Sequence, residues 1–139
     1  MLKIFYIVLL FGLIVRAEEA FTIQGKKIRF FEESQLRVTS STACVLSKEK
    51  KHCSNFKFLN TISVKKLGRI PAGNPNTGAL ICEDQLDGKS IVGQDSSGNE
   101  RSFCHLVQKN LYISNGSLTY WGNKNDGYYD KPETFDPGN

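Results

Sequence analysis

Histidine is nearly missing from these 139 residues, with His52 and His105 as the only imidazoles. There is no His-Glu-x-x-His, no Gly-x-Ser-x-Gly and no phosphate-binding glycine loop, which removes the zinc-protease, nucleophile-elbow and P-loop readings. No second long apolar run follows Ala17, so no membrane span is expected beyond the N-terminal segment. Charge of one sign is scarce as well: 18 Lys and Arg stand against 14 Asp and Glu. That is too thin a basic excess for the dense footprint of a nucleic-acid binder. Internal repeats and low-complexity runs are absent.

What is present begins at the N-terminus. Met1-Leu2-Lys3 is a short positive start, Ile4 to Val15 is unbroken apolar sequence, and Val15-Arg16-Ala17 offers small side chains before Glu18-Glu19. This is the layout of a secretory signal peptide, too short to span a bilayer core that needs ~20 helical residues. Cleavage after Ala17 is expected, which leaves 122 of the 139 residues and takes the formal charge from +4 to +2 as Lys3 and Arg16 depart. The remainder suits one domain of ordinary size. The expected location is secreted or periplasmic.

The four cysteines, Cys44, Cys53, Cys82 and Cys104, all lie in the exported part. An oxidising compartment and an even count favour disulfides, and the spacing lacks the close pairs of a zinc site. Three pairings are open. Cys44–Cys53 with Cys82–Cys104 is favoured because each pair sits inside one local unit. On the chain-entropy account these loops contribute about 2.7 and about 3.4 kcal/mol.

Along the chain, Phe21-Thr22-Ile23 and Ile28 to Phe31 read as strands around a turn at Gln24-Gly25-Lys26, and Leu36 to Thr39 alternates as a strand does. Phe56 to Leu59 and Ile62 to Val64 repeat period two. Two prolines and a glycine between Ile70 and Pro75 break the pattern and introduce the one helix, capped by Asn74, with Pro75 first and Gly88 ending it. Ala79, Cys82 and Leu86 share a face of that helix, which points the cysteine at the core. Gly78 inside it carries a cost of up to ~1 kcal/mol. Two hairpins are then expected: Ser90–Gly93 with Arg101–Val107 around Asp95-Ser96-Ser97-Gly98-Asn99, and Leu111–Ser114 with Ser117–Trp121 around Asn115-Gly116. From Gly122 to Asn139 the composition turns to Asn, Asp, Gly and Pro, the expected flexible polar tail. The fold class is therefore α+β: residues 18–121 as one small disulfide-stapled domain of antiparallel hairpins with one short helix near 75–87.

Asn74-Pro75 opening a helix, Cys82 within it, Gly88 at its end, then Asp95-Ser96-Ser97-Gly98, Phe103-Cys104 and Asn115-Gly116-Ser117 form an ordered series of turn residues and cysteines. Over residues 74–121, about a third of the chain, the series resembles the small exported bacterial domain known as DUF333, which carries a haemolysin label. The chain departs from that pattern in three places. It has one glycine where the domain has two, lacks a further cysteine, and lacks the closing Glu-Trp-Ala. The resemblance implies a fold and an exported address, and no activity.

Chemistry is hard to nominate. His105 follows Cys104 on a strand, so the two side chains face opposite ways, and an oxidised Cys104 offers no thiolate. Glu83, Asp84, Asp87, Asp95 and Glu100 are scattered, and the Asp95 turn is too short for an EF-hand. Asn115-Gly116-Ser117 is formally an N-glycosylation sequon. No catalytic residue, metal or cofactor is expected. Two groups remain as binding candidates. Lys48, Lys50 and Lys51 form a basic loop suited to an anionic envelope component. Tyr120, Trp121, Tyr128 and Tyr129 are aromatics able to anchor a partner, protein or sugar, and for Trp121 a place in the core or at its edge is the favoured reading. The expectation is an exported, non-enzymatic binding or envelope-associated protein, with a secreted effector and a small hydrolase as alternatives.

Overall fold

The computed structural model describes residues 18–34, 36–42, 54–68 and 76–129. The hairpin reading holds for the first strands. β1 (Glu18–Ile23) and β2 (Lys26–Glu33) pair antiparallel through a tight turn in which Gln24 and Gly25 both have positive φ, 49° and 78°. β3 (Val38–Ser40) returns along β2. β4 (Lys89–Gln94) and β5 (Glu100–Leu106) form the second hairpin, and β6 (Leu111–Ser114) lies on β5.

These strands are not a set of separate hairpins. They close into a six-stranded antiparallel barrel in the order β1-β2-β3-β6-β5-β4. Two of the seams are thin: Thr22 opposite Gln94 joins β1 to β4, and Ser40 opposite Ile113 joins β3 to β6. Phe21 and Ile23 of β1, Phe30 of β2 and Phe103 of β5 fill the barrel, with Ile28, Ile91 and Tyr112 packed against them. Phe30 and Phe103 stack at 4.3 Å, and Phe21 meets both edge-on. A Cβ on Gly93 would come within 2.8 Å of Ile23 and 3.1 Å of Phe103. Six strands enclose less space than the eight that just suffice for side chains or one small ligand. The barrel interior is accordingly core, not a lumen.

The opposite strand face carries a second core. Cys104, Leu106, Leu111 and Ile113 point outward from the barrel and are covered by two α-helices and a 3-10 helix. α1 (Thr77–Leu86) is the expected helix, displaced by its caps. Asn76 is its N-cap, with Oδ1 accepting from the Ala79 N–H at 3.2 Å; Asn74 and Pro75 lie outside the described residues. The left-handed C-terminal position falls on Asp87 (φ 51°) and not on Gly88. Gly88 serves close packing instead, since a Cβ there would lie 2.7 Å from the Cys104 sulfur and 2.8 Å from that of Cys82. Those sulfurs form the expected disulfide between α1 and β5, both residues fully buried. Cys44 and Cys53 lie outside the described residues.

Three period-two readings are overturned. Ile62 to Val64 is irregular chain, its backbone bonded by helix side chains. Residues 54–60 form a 3-10 helix, Ser54–Asn60, because Phe56, Leu59 and Ile62 recur every third residue and all three are buried. The expected second hairpin at Asn115-Gly116 is a helix, α2 (Asn115–Asn125). Ser114 caps it, its Oγ accepting from the Ser117 N–H at 3.1 Å, so Asn115 and Gly116 enter the first turn instead of a type I′ turn. Asn115, Leu118, Trp121 and Gly122 then make one buried face at helical spacing. The tail expected from Gly122 also changes: residues 122–125 complete α2, a turn follows to Tyr129, and residues 130–139 lie outside the described residues.

Gly78 explains how α1 and α2 meet. A Cβ at that position would sit 1.9 Å from the Asn115 carbonyl oxygen, so only glycine lets the two backbones touch. Asn115 is 1% exposed, with its amide donating to Ser90 Oγ at 2.8 Å. The folded sequon thus has no room for a glycan. Helix side chains also satisfy the irregular segment after the 3-10 helix. Gln85 bonds both backbone groups of Ser63, and Asn125 donates to the carbonyls of Leu59 and Ile62. Buried backbone polar groups need such partners where no strand supplies them.

Candidate tyrosine and arginine surface

The described candidates converge where α2 crosses the turn between β2 and β3. Trp121 is 2% exposed and belongs to the core. It is no surface anchor, and it acts through its ring nitrogen. Trp121 Nε1–H donates to the Leu36 carbonyl at 2.9 Å, and the Thr39 N–H donates to Ser117 Oγ at 3.0 Å. These two bonds, from residues far apart in sequence, pin the β2–β3 turn on α2.

The pinned turn presents Arg37 with φ at 53°, left-handed backbone that a long side chain rarely adopts. Its guanidinium lies 5.8 Å from the Tyr120 ring centre. The Lys124 ammonium lies 5.4 Å from the same ring and 5.0 Å from Trp121. Cation–aromatic contacts at these separations are attractive.

Beyond α2 the chain doubles back. The Asp126 N–H bonds to the Gly122 carbonyl and the Gly127 N–H to that of Lys124; Gly127 then takes φ 83°, and the Tyr128 N–H reaches the Asn123 carbonyl. Glycine is suited to that conformation. The turn sets Tyr129 against Tyr120, ring centres 5.0 Å apart, and leaves Tyr128 68% and Tyr129 43% exposed. Asp126 anchors the turn: its carboxylate accepts from Ser63 Oγ–H and from the Lys65 N–H at 2.8 Å. Burial raises the carboxyl pKa, but the Ser63 and Lys65 hydrogen bonds outweigh it and hold the group below its ordinary value.

On the other side of Tyr120 an open pocket of about 250 Å³ lies at the barrel mouth, lined by Glu32, Arg37, Thr39 and Arg101. Arg101 also reaches Glu19 at 3.6 Å in an exposed ion pair. Tyr120 is shared by the pocket and the exposed tyrosines.

The remaining sequence candidates are placed elsewhere. Lys48, Lys50, Lys51 and His52 lie outside the described residues. His105 stacks flat on Tyr112 at 4.1 Å, on the strand face opposite Cys104. Asp95 accepts from the N–H groups of Ser97 and Asn99 and from the Asn99 amide, so its oxygens close their own turn, and the Asn99 bonds chiefly hold its pKa down. Among the described residues no three His, Cys, Asp or Glu side chains are grouped to hold a metal, and no helix is long and apolar enough to cross a membrane. Sequence reasoning names Tyr120 among the candidate aromatics and misses Arg37 and Arg101. Arg37 and Arg101 read as ordinary strand charges, and Tyr120 lies on a helix where a strand is expected. The chain matches no family model, no curated protein and no solved structure.

Proposed function

We propose that this is an exported, non-enzymatic binding protein that attaches to the cell envelope through the tyrosine surface at the end of α2. The observation that carries the reading is the pair Tyr128 and Tyr129, both exposed on one glycine turn, with Tyr129 held against Tyr120 and the Tyr128 N–H bonded to the Asn123 carbonyl. Tyrosine presents large contact area with little rotamer freedom to lose, which makes it a frequent recognition residue. A turn that fixes it in advance lowers the ordering cost further. The buried Cys82–Cys104 disulfide fits an oxidising compartment, as the N-terminal segment does. The resemblance to DUF333 adds an exported address to the same reading.

The test is co-sedimentation of the purified protein with isolated envelopes. Changing Tyr128 and Tyr129 together to alanine abolishes attachment while the far-ultraviolet spectrum stays native. Reversing Lys48, Lys50 and Lys51 to glutamate leaves it nearly unchanged at physiological salt. Loss in the lysine variant with retention in the tyrosine variant assigns attachment to the basic loop and overturns the reading. Lysis of erythrocytes by the purified protein replaces it with an effector role.

A further inference from the structure

We infer that the pocket beside Tyr120 takes the carboxylate of an acidic sugar residue, so that the envelope component bound is a uronic-acid polysaccharide. The inference rests on the attachment proposed above and names its ligand class. Two guanidinium groups, Arg37 and Arg101, line one open pocket of about 250 Å³. The planar fork of arginine matches a carboxylate in a two-point hydrogen bond, which lysine cannot offer.

Arg37 is the sharper of the two. No carboxylate pairs with it among the described residues, and its guanidinium rests on the face of Tyr120. It occupies left-handed backbone at φ 53° where glycine or asparagine would sit more easily. Strain of this kind is retained where the surroundings enforce it, and it gathers at binding sites. Here the Trp121–Leu36 and Ser117–Thr39 bonds enforce it. Arg101 has a partner, Glu19, but both side chains are about half exposed, and such pairs are weak enough to exchange.

The other wall of the pocket decides between anions. Glu32 and Thr39, opposed across the β2–β3 pair, line the same pocket as the two arginines. A doubly charged phosphate would meet the Glu32 carboxylate more unfavourably than a singly charged anion does, and among singly charged anions the planar carboxylate matches the arginine fork in a two-point hydrogen bond. A singly charged uronate satisfies the arginines and offers hydroxyl groups that Glu32 accepts. The sugar ring then continues along Tyr120 toward Tyr129 and Tyr128, whose apolar faces suit the C–H face of a pyranose.

The experiment is calorimetric titration of the purified protein with oligogalacturonate, its methyl ester, a neutral galactan and dextran sulfate. Oligogalacturonate binds, and the methyl ester, which keeps the sugar and removes the charge, binds at least about tenfold more weakly, the loss of one charge-assisted hydrogen-bond pair. Arg37→Gln and Arg101→Gln each weaken oligogalacturonate by about tenfold on the same grounds. Arg37→Gly raises the melting temperature by relieving the backbone while still losing the ligand, which separates binding from folding. Equal affinity for acid and ester overturns the inference, as does tighter binding of dextran sulfate that survives Arg101→Gln. Failure of every acidic glycan, with envelopes still bound through Tyr128 and Tyr129, overturns the ligand class and leaves the attachment surface standing.

Discussion

The two cores of this protein are built in opposite ways, although β5 serves both: Phe103 points into the barrel and Cys104, the next residue, points into the helical layer. The barrel core is aromatic and made from neighbouring strands, with β1 beside β2 and β4 beside β5 across short turns. The helical core is held by contacts between distant residues. A disulfide spans 22 positions, Gln85 bonds Ser63, Asn125 bonds Leu59, and Trp121 bonds Leu36. Local pairing makes a scaffold, and long-range contacts aim α2 and its tyrosines. The candidate surface lies where the two systems meet, at the β2–β3 turn under α2.

The comparison breaks most visibly at the disulfide. Replacing Cys82 and Cys104 with serine is expected to lower stability by about 2–5 kcal/mol. Hydrogen exchange should report α1 amides losing protection first while the β1–β2 and β4–β5 amides keep theirs, because regions open as separate units. Simultaneous loss throughout would make the two cores one cooperative unit.

Next in size is Gly78→Ala. Its new Cβ meets backbone, the Asn115 carbonyl, which cannot turn aside as a side chain can. A cost at or above about 3 kcal/mol is expected, the upper end for overpacking. Chemical denaturation measures it. The barrel counterpart, Gly93→Ala, presses on Ile23 and Phe103 side chains, and about 1–3 kcal/mol is expected. If Gly93→Ala proves the worse of the two, the helical interface is looser than its geometry.

The smallest effect concerns Asp126. Its carboxyl is held below the ordinary value, so its contribution is complete above that value and is lost as pH falls toward and through the lower folded one. Melting temperatures followed from neutral pH to below about 4 should fall less steeply in Asp126→Asn than in the parent. At neutral pH the variant loses about 1 kcal/mol from the bonds to Ser63 and Lys65. An unchanged acid slope would remove Asp126 as the anchor of the tyrosine turn.

Legibility in the sequence followed the same division. Alternating apolar residues and glycine turns announced β1, β2, β4 and β5, and local spacing was enough to pair Cys82 with Cys104. Closure into a barrel was not legible, because each thin seam rests on a single opposed pair. α2 was misread because Leu118-Thr119-Tyr120-Trp121 fits period two as well as period three to four; the Ser114 cap and the close approach of Gly78 decide for helix. Gly78 itself looked like a local cost, and its value exists only against Asn115. At the surface, Tyr128 and Tyr129 were legible as aromatics in a polar stretch. Trp121 is legible as a core aromatic, and its burial agrees; its bond to the Leu36 carbonyl is not, since the two residues are far apart in sequence. Arg37 drew no notice, since a left-handed backbone leaves no mark when the residue is neither glycine nor asparagine.

The most direct test of the account is hydroxyl-radical footprinting of the protein bound to envelopes. Val92 and Val107, 55% and 68% exposed on other faces, serve as internal standards. The account predicts strong protection of Tyr128 and Tyr129 with Val92 and Val107 unchanged. Protection of either valine with both tyrosines still reactive would contradict it.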